Sequence, residues 1–298
     1  MSDAAATVVY EWGTWAPDFL IFALFPSAVR VTAQPADSVD TILAAVPAHA
    51  KRFVFHLNCT LTGHFPPSRV PLISALAARG IAVVNADATD ISKRTIQRTC
   101  LDSGLTSALA GPDGPLDELV IVKTNFNYGG ASERELSAPE RRLLGIPEPS
   151  ALIQEPQDYK VLPRREVDPS WWDDPSLTVE RYIENRDNRC YRAYCFYHQV
   201  ALCEVVNRDR IKKMAGSAIR RVWMFATENA RGEDYPVPVV EALLRFRRRF
   251  PLDFGTIDVM EDGNALPYIV DVNTTPYYGV QVPGLVGHLE DNYGDACR

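Results

Sequence analysis

The chain has 298 residues, 46% of them hydrophobic and 23% charged, with a net charge of −7. That length can bury two or three cores in an ordinary soluble composition, and the acidic balance excludes bulk nucleic-acid binding, which needs a basic surface. No run approaches about 18 consecutive apolar residues and the N-terminus lacks the basic start of a secretory signal, so a cytoplasmic protein that crosses no membrane is expected.

Residues 1–86 alternate apolar runs at Val8–Tyr10, Phe53–Leu57 and Ile81–Val84 with helical patterns at Asp18–Leu24 and Val70–Ala78. This alternation predicts a small α/β domain with a parallel sheet. His56 and His64 flank a loop after the strand Arg52–Leu57, where they either line a substrate cleft or pack; no spacing among the five histidines reads as a ligand set. None of the six cysteines forms a Cys-x-x-Cys doublet, and Cys195 and Cys203 fall in apolar strands as small hydrophobes.

Asn85–Gly104 reads as a strand end, a cap at Asp90 or Ser92, and a helix stopped by Gly104. Glu118–Lys123 is a short apolar strand ending in a cation, followed by a loop with Gly129 and Gly130. The proline-rich stretch Pro147–Pro175 predicts a long loop, with its Trp171-Trp172 pair packing the insertion or offering one indole to a ligand. Leu177–Ile183 is an amphipathic strand. Cys190–Tyr197 and Val200–Arg208 predict a hairpin turning at His198-Gln199, in which Arg192 shares a face with Tyr194 and Phe196. A cation on so apolar a strand must be paired to tolerate burial. Arg208 and the Lys212-Lys213 pair either contact a ligand or stand in solvent. Glu241–Phe250 predicts a helix that turns Ala242, Leu243 and Phe246 to the core.

The C-terminal stretch carries the most information. Asp271 and Asn273 sit two apart in Pro267–Pro276, so an extended strand points both to one face. Gly255–Met260 supplies a partner strand, and the turn Glu261-Asp262-Gly263-Asn264 closes a hairpin that brings Asp258 beside Asp271. Two carboxylates and an amide then converge, an incomplete oxygen shell that suits Mg2+ carrying nucleotide phosphates. The same residues also suit a solvated hairpin whose Asp and Asn merely end strands.

The order of these segments, from about Asn85 to Pro276 and roughly two-thirds of the chain, resembles the ATP-grasp superfamily. The last core strands of that family carry an acidic residue, then a second two before an Asn, followed by Pro: here Asp258, Asp271, Asn273 and Pro276. The resemblance implies an ATP-grasp fold with a preceding small α/β parallel-sheet domain, divided as 1–86, a small lobe at 87–177 with the proline-rich insertion, and a C-terminal lobe at 178–298 carrying the metal. It implies ATP with Mg2+, or Mn2+ in its place, as cofactors. Lys93, Lys123 and Arg192 become phosphate cations, with Lys123 and Arg192 at the reacting phosphate, and Gly129 and Gly130 let backbone N–H groups approach phosphate oxygens. Glu180, Tyr182 and Ile183 take the place of the hinge that holds adenine. The family's loop is often richer in glycine than this one.

The implied activity is an ATP-dependent carboxylate–amine ligase working through an acylphosphate on a small molecule or peptide, in a family that often forms homodimers. A small-molecule kinase is the alternative, because inositol polyphosphate kinases of the superfamily also use Asp, Asp and Asn where many ligases have Glu second. A non-catalytic nucleotide-binding protein is the third reading. Thr274, Thr275, Tyr277 and Tyr278 are expected near the substrate.

Overall fold

Burial on both faces explains why the N-terminal strands read as nearly unbroken apolar runs. In the computed structural model, which describes residues 6–13, 18–185, 187–211, 217–230, 232, 234–277 and 282–290, four parallel strands form the first sheet. These are β1 (Ala6–Trp12), β2 (Val29–Thr32), β3 (Ala50–Leu57) and β4 (Ala82–Val84), in the order β2-β1-β3-β4. Helices α1 (Leu20–Leu24), α2 (Val39–Ala45) and α3 (Arg69–Ala78) connect them. Val8, Tyr10, Phe53 and Phe55 pack with Ile42, Leu72 and Leu76 on one face; Val9, Val54 and Val84 pack with Leu20 and Ile21 on the other. Neither β2 nor α2 stood out in the sequence. The first is a four-residue edge strand, and the second is fixed at its start by the Ser38 hydroxyl, which accepts from Thr41 N.

His56 is fully buried among the rings of Phe19, Phe22 and Phe254. Burial, with help from the Arg30 charge, holds its pKa down to about 3. It therefore stays neutral in the wall of a core and lines no cleft, while His64 is exposed.

Helix α4 (Lys93–Asp102) starts where expected: the Ser92 hydroxyl accepts from Thr95 N, and Asp90 accepts from Ser92 N and Thr95 Oγ1. Gly104 then adopts φ +65. Next come β5 (Leu119–Thr124), a 3-10 turn at Asn127–Gly130, α5 (Ala131–Glu135), α6 (Ala138–Leu144), β6 (Lys160–Pro163), α7 (Pro169–Asp173) and β7 (Leu177–Arg181). The second sheet is antiparallel, in the order β6-β5-β7. The expected long loop at 147–175 thus holds a strand and a helix, and Trp171 and Trp172 lie on α7, partly buried against the small-lobe core that contains Val120 and Val122. Strand β7, placed at the start of the C-terminal lobe from sequence, pairs with β5 instead, so this sheet runs past residue 177.

The third sheet contains β8 (Arg189–Phe196), β9 (Gln199–Val206), β10 (Ala218–Ala226), β11 (Phe254–Glu261) and β12 (Pro267–Asn273), antiparallel in the order β10-β9-β8-β11-β12. The β8–β9 turn falls at Tyr197-His198, one residue earlier than expected, with Tyr197 at φ +47. In the β11–β12 turn Ala265 takes the left-handed conformation, with φ +61, while Asp262 Oδ1 accepts from Asn264 N and Leu266 N. Helix α8 (Val237–Arg247) opens four residues before the predicted start and buries Ala242, Leu243 and Phe246 as expected. With α4 it covers one face of the sheet, through Ile96, Cys100, Ile257 and Val272. The opposite face, through Tyr194, Phe196 and Phe254, packs against the N-terminal sheet and α9 (Leu285–Glu290). No helix of the described residues is long and apolar enough to cross a membrane.

Asn85 joins the N-terminal sheet to the third. It is buried at φ +58, its Nδ2 donates to Phe254 O at 2.9 Å, and its Oδ1 accepts from Asp253 N and Phe254 N. Asparagine tolerates this backbone region while its amide serves both partners. Asn85→Ala leaves buried groups unpaired and adds left-handed strain, so it should lower unfolding stability by about 2–4 kcal/mol in denaturant titrations. A loss under about 0.5 kcal/mol, the scatter of an ordinary surface change, would show that the junction does not depend on it.

Candidate active site

Strand register brings the charged residues together. Asp258 of β11 stands opposite Arg192 of β8 on one side and Asp271 of β12 on the other, and Asn273 stands opposite Thr256. Directly opposed residues of antiparallel strands share a face, so Arg192, Asp258 and Asp271 form one row across three strands, and Asn273 lies one step along. The pairing shifts between Asp258 and Val259, where β12 carries one extra residue, Val270, an irregularity of the kind that re-aims side chains next to sites. The row lies on the face shared with Tyr194, whose hydroxyl burial pushes up to about 12.

Arg192 grips Asp258 with both ends of its fork: Nε donates to Oδ1 at 2.7 Å and Nη2 to Oδ2 at 2.6 Å. Burial disfavours the charged guanidinium, but the Asp258 carboxylate outweighs burial, and Arg192 holds its proton more tightly than a free arginine. Lys93, at the start of α4 and 3% exposed, donates from Nζ to Phe126 O at 2.9 Å and stands 3.5 Å from Asp271 Oδ1. That Asp271 oxygen is buried and accepts no hydrogen bond. Lys123, at the end of β5, pairs with Glu180 of β7 at 2.7 Å; the second Glu180 oxygen, Oε1, is likewise buried without a partner. Each sequence-predicted cation thus faces a carboxylate.

Arg94, the neighbour of Lys93, points elsewhere. Its guanidinium donates to the carbonyls of Leu177, Trp172 and Asp174, tying α4 to the second sheet. Gly129 and Gly130 take φ +72 and +75. A Cβ on Gly129 would lie 2.6 Å from Gln154 O, so contact with the chain itself already requires glycine there. Arg134 holds this loop by donating to Gly129 O at 2.8 Å and to Ser150 O and Ile153 O. Sequence reading missed Arg134, as it missed Asn127, whose Nδ2 donates to Val272 O and fastens the loop to the strand bearing Asp271. It also missed Tyr159, which lies within electrostatic reach of Lys123, Asp271 and Glu180, and whose hydroxyl burial pushes upward.

At the hinge, Tyr182 donates to Arg210 O, and Ile183 packs with Ala108 and Tyr268, with Met260 and Val270 partly exposed beside them. A cleft of about 300 Å3 opens here, lined by Tyr182, Ile183, Glu184, Asp262, Asn264 and Tyr268 among others. Its lining takes in the hinge and none of the carboxylate row, so shape alone does not locate the charged site. Arg208 is exposed; Lys212, Lys213 and Tyr278 lie outside the described residues, as does Cys297.

No protein-family model and no curated protein sequence matches the chain. Solved structures do match it along nearly its whole length. D-cycloserine synthetase DcsG superposes with a TM-score of 0.55 at 10% identity, covering 99% of this chain and 100% of that one. The ATP-grasp ligase PsnB, complexed with its minimal precursor, gives 0.53 at 12% identity, covering 96% and 99%. The D-alanine–D-alanine ligase of Bacillus anthracis complexed with ATP gives 0.51 at 12% identity, covering 97% and 92%. This chain has the ATP-grasp fold. Identities so low carry the architecture, and the roles of residues rest on the geometry above.

The oxygen set fits a hard divalent ion: two carboxylates on adjacent strands, one with a buried oxygen that accepts no hydrogen bond, and an amide oxygen oriented by Thr275 N at 2.8 Å. No group of three His, Cys, Asp or Glu side chains placed to hold a metal occurs among the described residues, which is consistent with a set whose third donor is an asparagine. Arg192 already occupies Asp258, so a bare ion at these oxygens would compete with a guanidinium. Arg192→Gln should therefore tighten Mn2+ binding in the absence of nucleotide by at least about tenfold while weakening nucleotide binding. Titration by electron paramagnetic resonance checks the first sign and calorimetry the second; equal weakening of both would mean Arg192 does not compete with the ion.

Proposed function

We propose that this chain is an ATP- and Mg2+-dependent ligase that phosphorylates a carboxylate and couples the acylphosphate to an amine on a small molecule or peptide. The observation that carries the reading is the charge arrangement: Lys93 and Arg192, from separate segments, face the adjacent carboxylates Asp271 and Asp258, and Lys123 faces Glu180 at the end of β5. Like architecture in ligases supports it, among them PsnB seen with its precursor variant, Mg and ADP. The five described cysteines are all free, which suits the reducing cytoplasm.

On this reading Asp258, Asp271 and Asn273 hold Mg2+, which supplies neutralisation of triphosphate charge. The carboxylate oxygen of the substrate attacks the terminal phosphorus, ADP leaves, and the amine then attacks the acyl carbon with loss of phosphate. Little covalent help is asked of the protein; alignment and charge are its tasks. With the carboxylates of Asp258 and Asp271 holding the ion, Arg192 and Lys93 would be available to bind phosphate oxygens. Each cation–phosphate pair at about 4 Å gains about 4 kcal/mol at an effective dielectric of about 20, before desolvation. Lys123, anchored by buried Glu180, keeps its ammonium at the end of β5, and the cluster of Ile183, Met260 and Val270 offers apolar surface to a base at the hinge. A kinase would use the same groups and stop after the first transfer, as Asp rather than Glu at position 271 allows.

Incubation with ATP, Mg2+ and a panel of acids and amines should release ADP and inorganic phosphate and form an amide. A stable phosphoester with no free phosphate would establish the kinase instead, and no ADP release with any acceptor would leave a binding protein. Asp271→Asn should lower kcat/KM at least about 100-fold, the scale of losing one transition-state electrostatic contact. Lys123→Met should raise the KM for ATP as well.

A further inference from the structure

Asn273 is linked to the N-terminal domain through one hydroxyl. Thr275, 2% exposed, donates its backbone N–H to Asn273 Oδ1 at 2.8 Å. Its Oγ1 stands 3.1 Å from that same oxygen and 3.2 Å from Asn58 Oδ1. Asn58 directly follows β3, and its Nδ2 donates to Gly13 O at 3.1 Å, which fixes its oxygen as the atom facing Thr275. A hydroxyl carries one proton, so at any moment Thr275 donates to Asn273 or to Asn58. An amide oxygen has two lone pairs. With Thr275 N–H on one, the hydroxyl proton takes the other, which is the one a cation requires.

We propose that Thr275 is a positioning residue whose hydroxyl turns from Asn273 to Asn58 when a divalent ion takes Asn273 Oδ1. The inference rests on Asn273 being a metal ligand, as in the function proposed above. The two acceptors are nearly equidistant, so the change needs rotation about one bond and sacrifices no hydrogen bond. Its consequence is mechanical: capture of the ion on β12 fastens the segment after β12 to the end of β3. Without an acceptor at position 58, arrival of the ion would leave a buried hydroxyl proton unsatisfied.

The test is Mn2+ binding with saturating adenylyl imidodiphosphate, read from the paramagnetic resonance of free Mn2+. Asn58→Leu should weaken binding about tenfold, the effect of one buried hydroxyl left without an acceptor. Thr275→Val alone should stay within about threefold of wild type, since it removes the competing proton together with its need for a partner. Adding Thr275→Val to Asn58→Leu should restore binding, whereas adding Thr275→Ser, which keeps the hydroxyl, should not. General loosening around Asn58 would not be repaired by deleting a hydroxyl. Wild-type binding in Asn58→Leu, or a Leu–Val double variant as weak as the single, overturns the inference and leaves the metal assignment standing. Failure of the wild type to bind Mn2+ with nucleotide overturns both.

Discussion

A guanidinium and a carboxylate on adjacent strands set the terms for everything else in the site. Arg192 meets Asp258 through two hydrogen bonds at 2.7 and 2.6 Å on a sheet face otherwise packed against the N-terminal domain. An uncompensated charge there would be costly, and a bidentate pair is the arrangement that tolerates partial burial. Lys93 beside Asp271 and Lys123 beside Glu180 repeat the solution. The site is neutral pair by pair. A ligand carrying one sign of charge must break a pair to enter, whereas a divalent ion and a polyphosphate arriving together satisfy both halves at once.

The part of this that a sequence shows is the part carried by short-range periodicity. Asp271 and Asn273 lie two apart on one strand, so the pleat alone gives them a common face, but Asp258 meets Asp271 only because the pairing shifts between Asp258 and Val259; an unshifted hairpin would set Val270 opposite it. Ser92 with Asp90 likewise announced the start of α4. What was illegible depended on partners far along the chain. Glu180 reaches Lys123 because β7 runs antiparallel to β5 with Lys123 opposite Thr178, which places Glu180 on the diagonal of the same face. Strand β6 escaped notice because it is four residues ending in proline within a proline-rich stretch. The roles of Arg134 and Asn127 are to hold carbonyls from other segments, and polar loop residues advertise no such partner.

Gly129 answers to a constraint that the sequence does not display. Gly129 was expected to clear space for an anion, and its backbone is left-handed as a glycine allows. Yet the atom nearest an added Cβ is Gln154 O of the insertion, which Arg134 binds to the same loop from the other side. The insertion therefore shapes the loop from behind. Tyr159, in the same insertion, packs on the core of the second sheet, and the charges of Lys123, Asp271 and Glu180 act on its hydroxyl.

The three cations come from parts of the chain that different packing contacts hold. Lys123 belongs to the second sheet, Arg192 to the third, and Lys93 to a helix whose Gln97 donates to Ile269 O of β12 and accepts from Ala108 N ahead of β5. A triphosphate touching all three would connect the two sheets through its own charge, in addition to the apolar cluster of Ala108, Ile183 and Tyr268 that already joins them. The Lys93–Asp271 and Arg192–Asp258 pairs keep those cations pointed inward before any ligand arrives. Preorganisation of this kind limits the side-chain entropy lost on binding, which is largest for Lys and Arg. The same carboxylates that would grip the ion thus also aim the cations at the phosphates, and neither job is separable from the antiparallel register that sets Asp258 between Arg192 and Asp271.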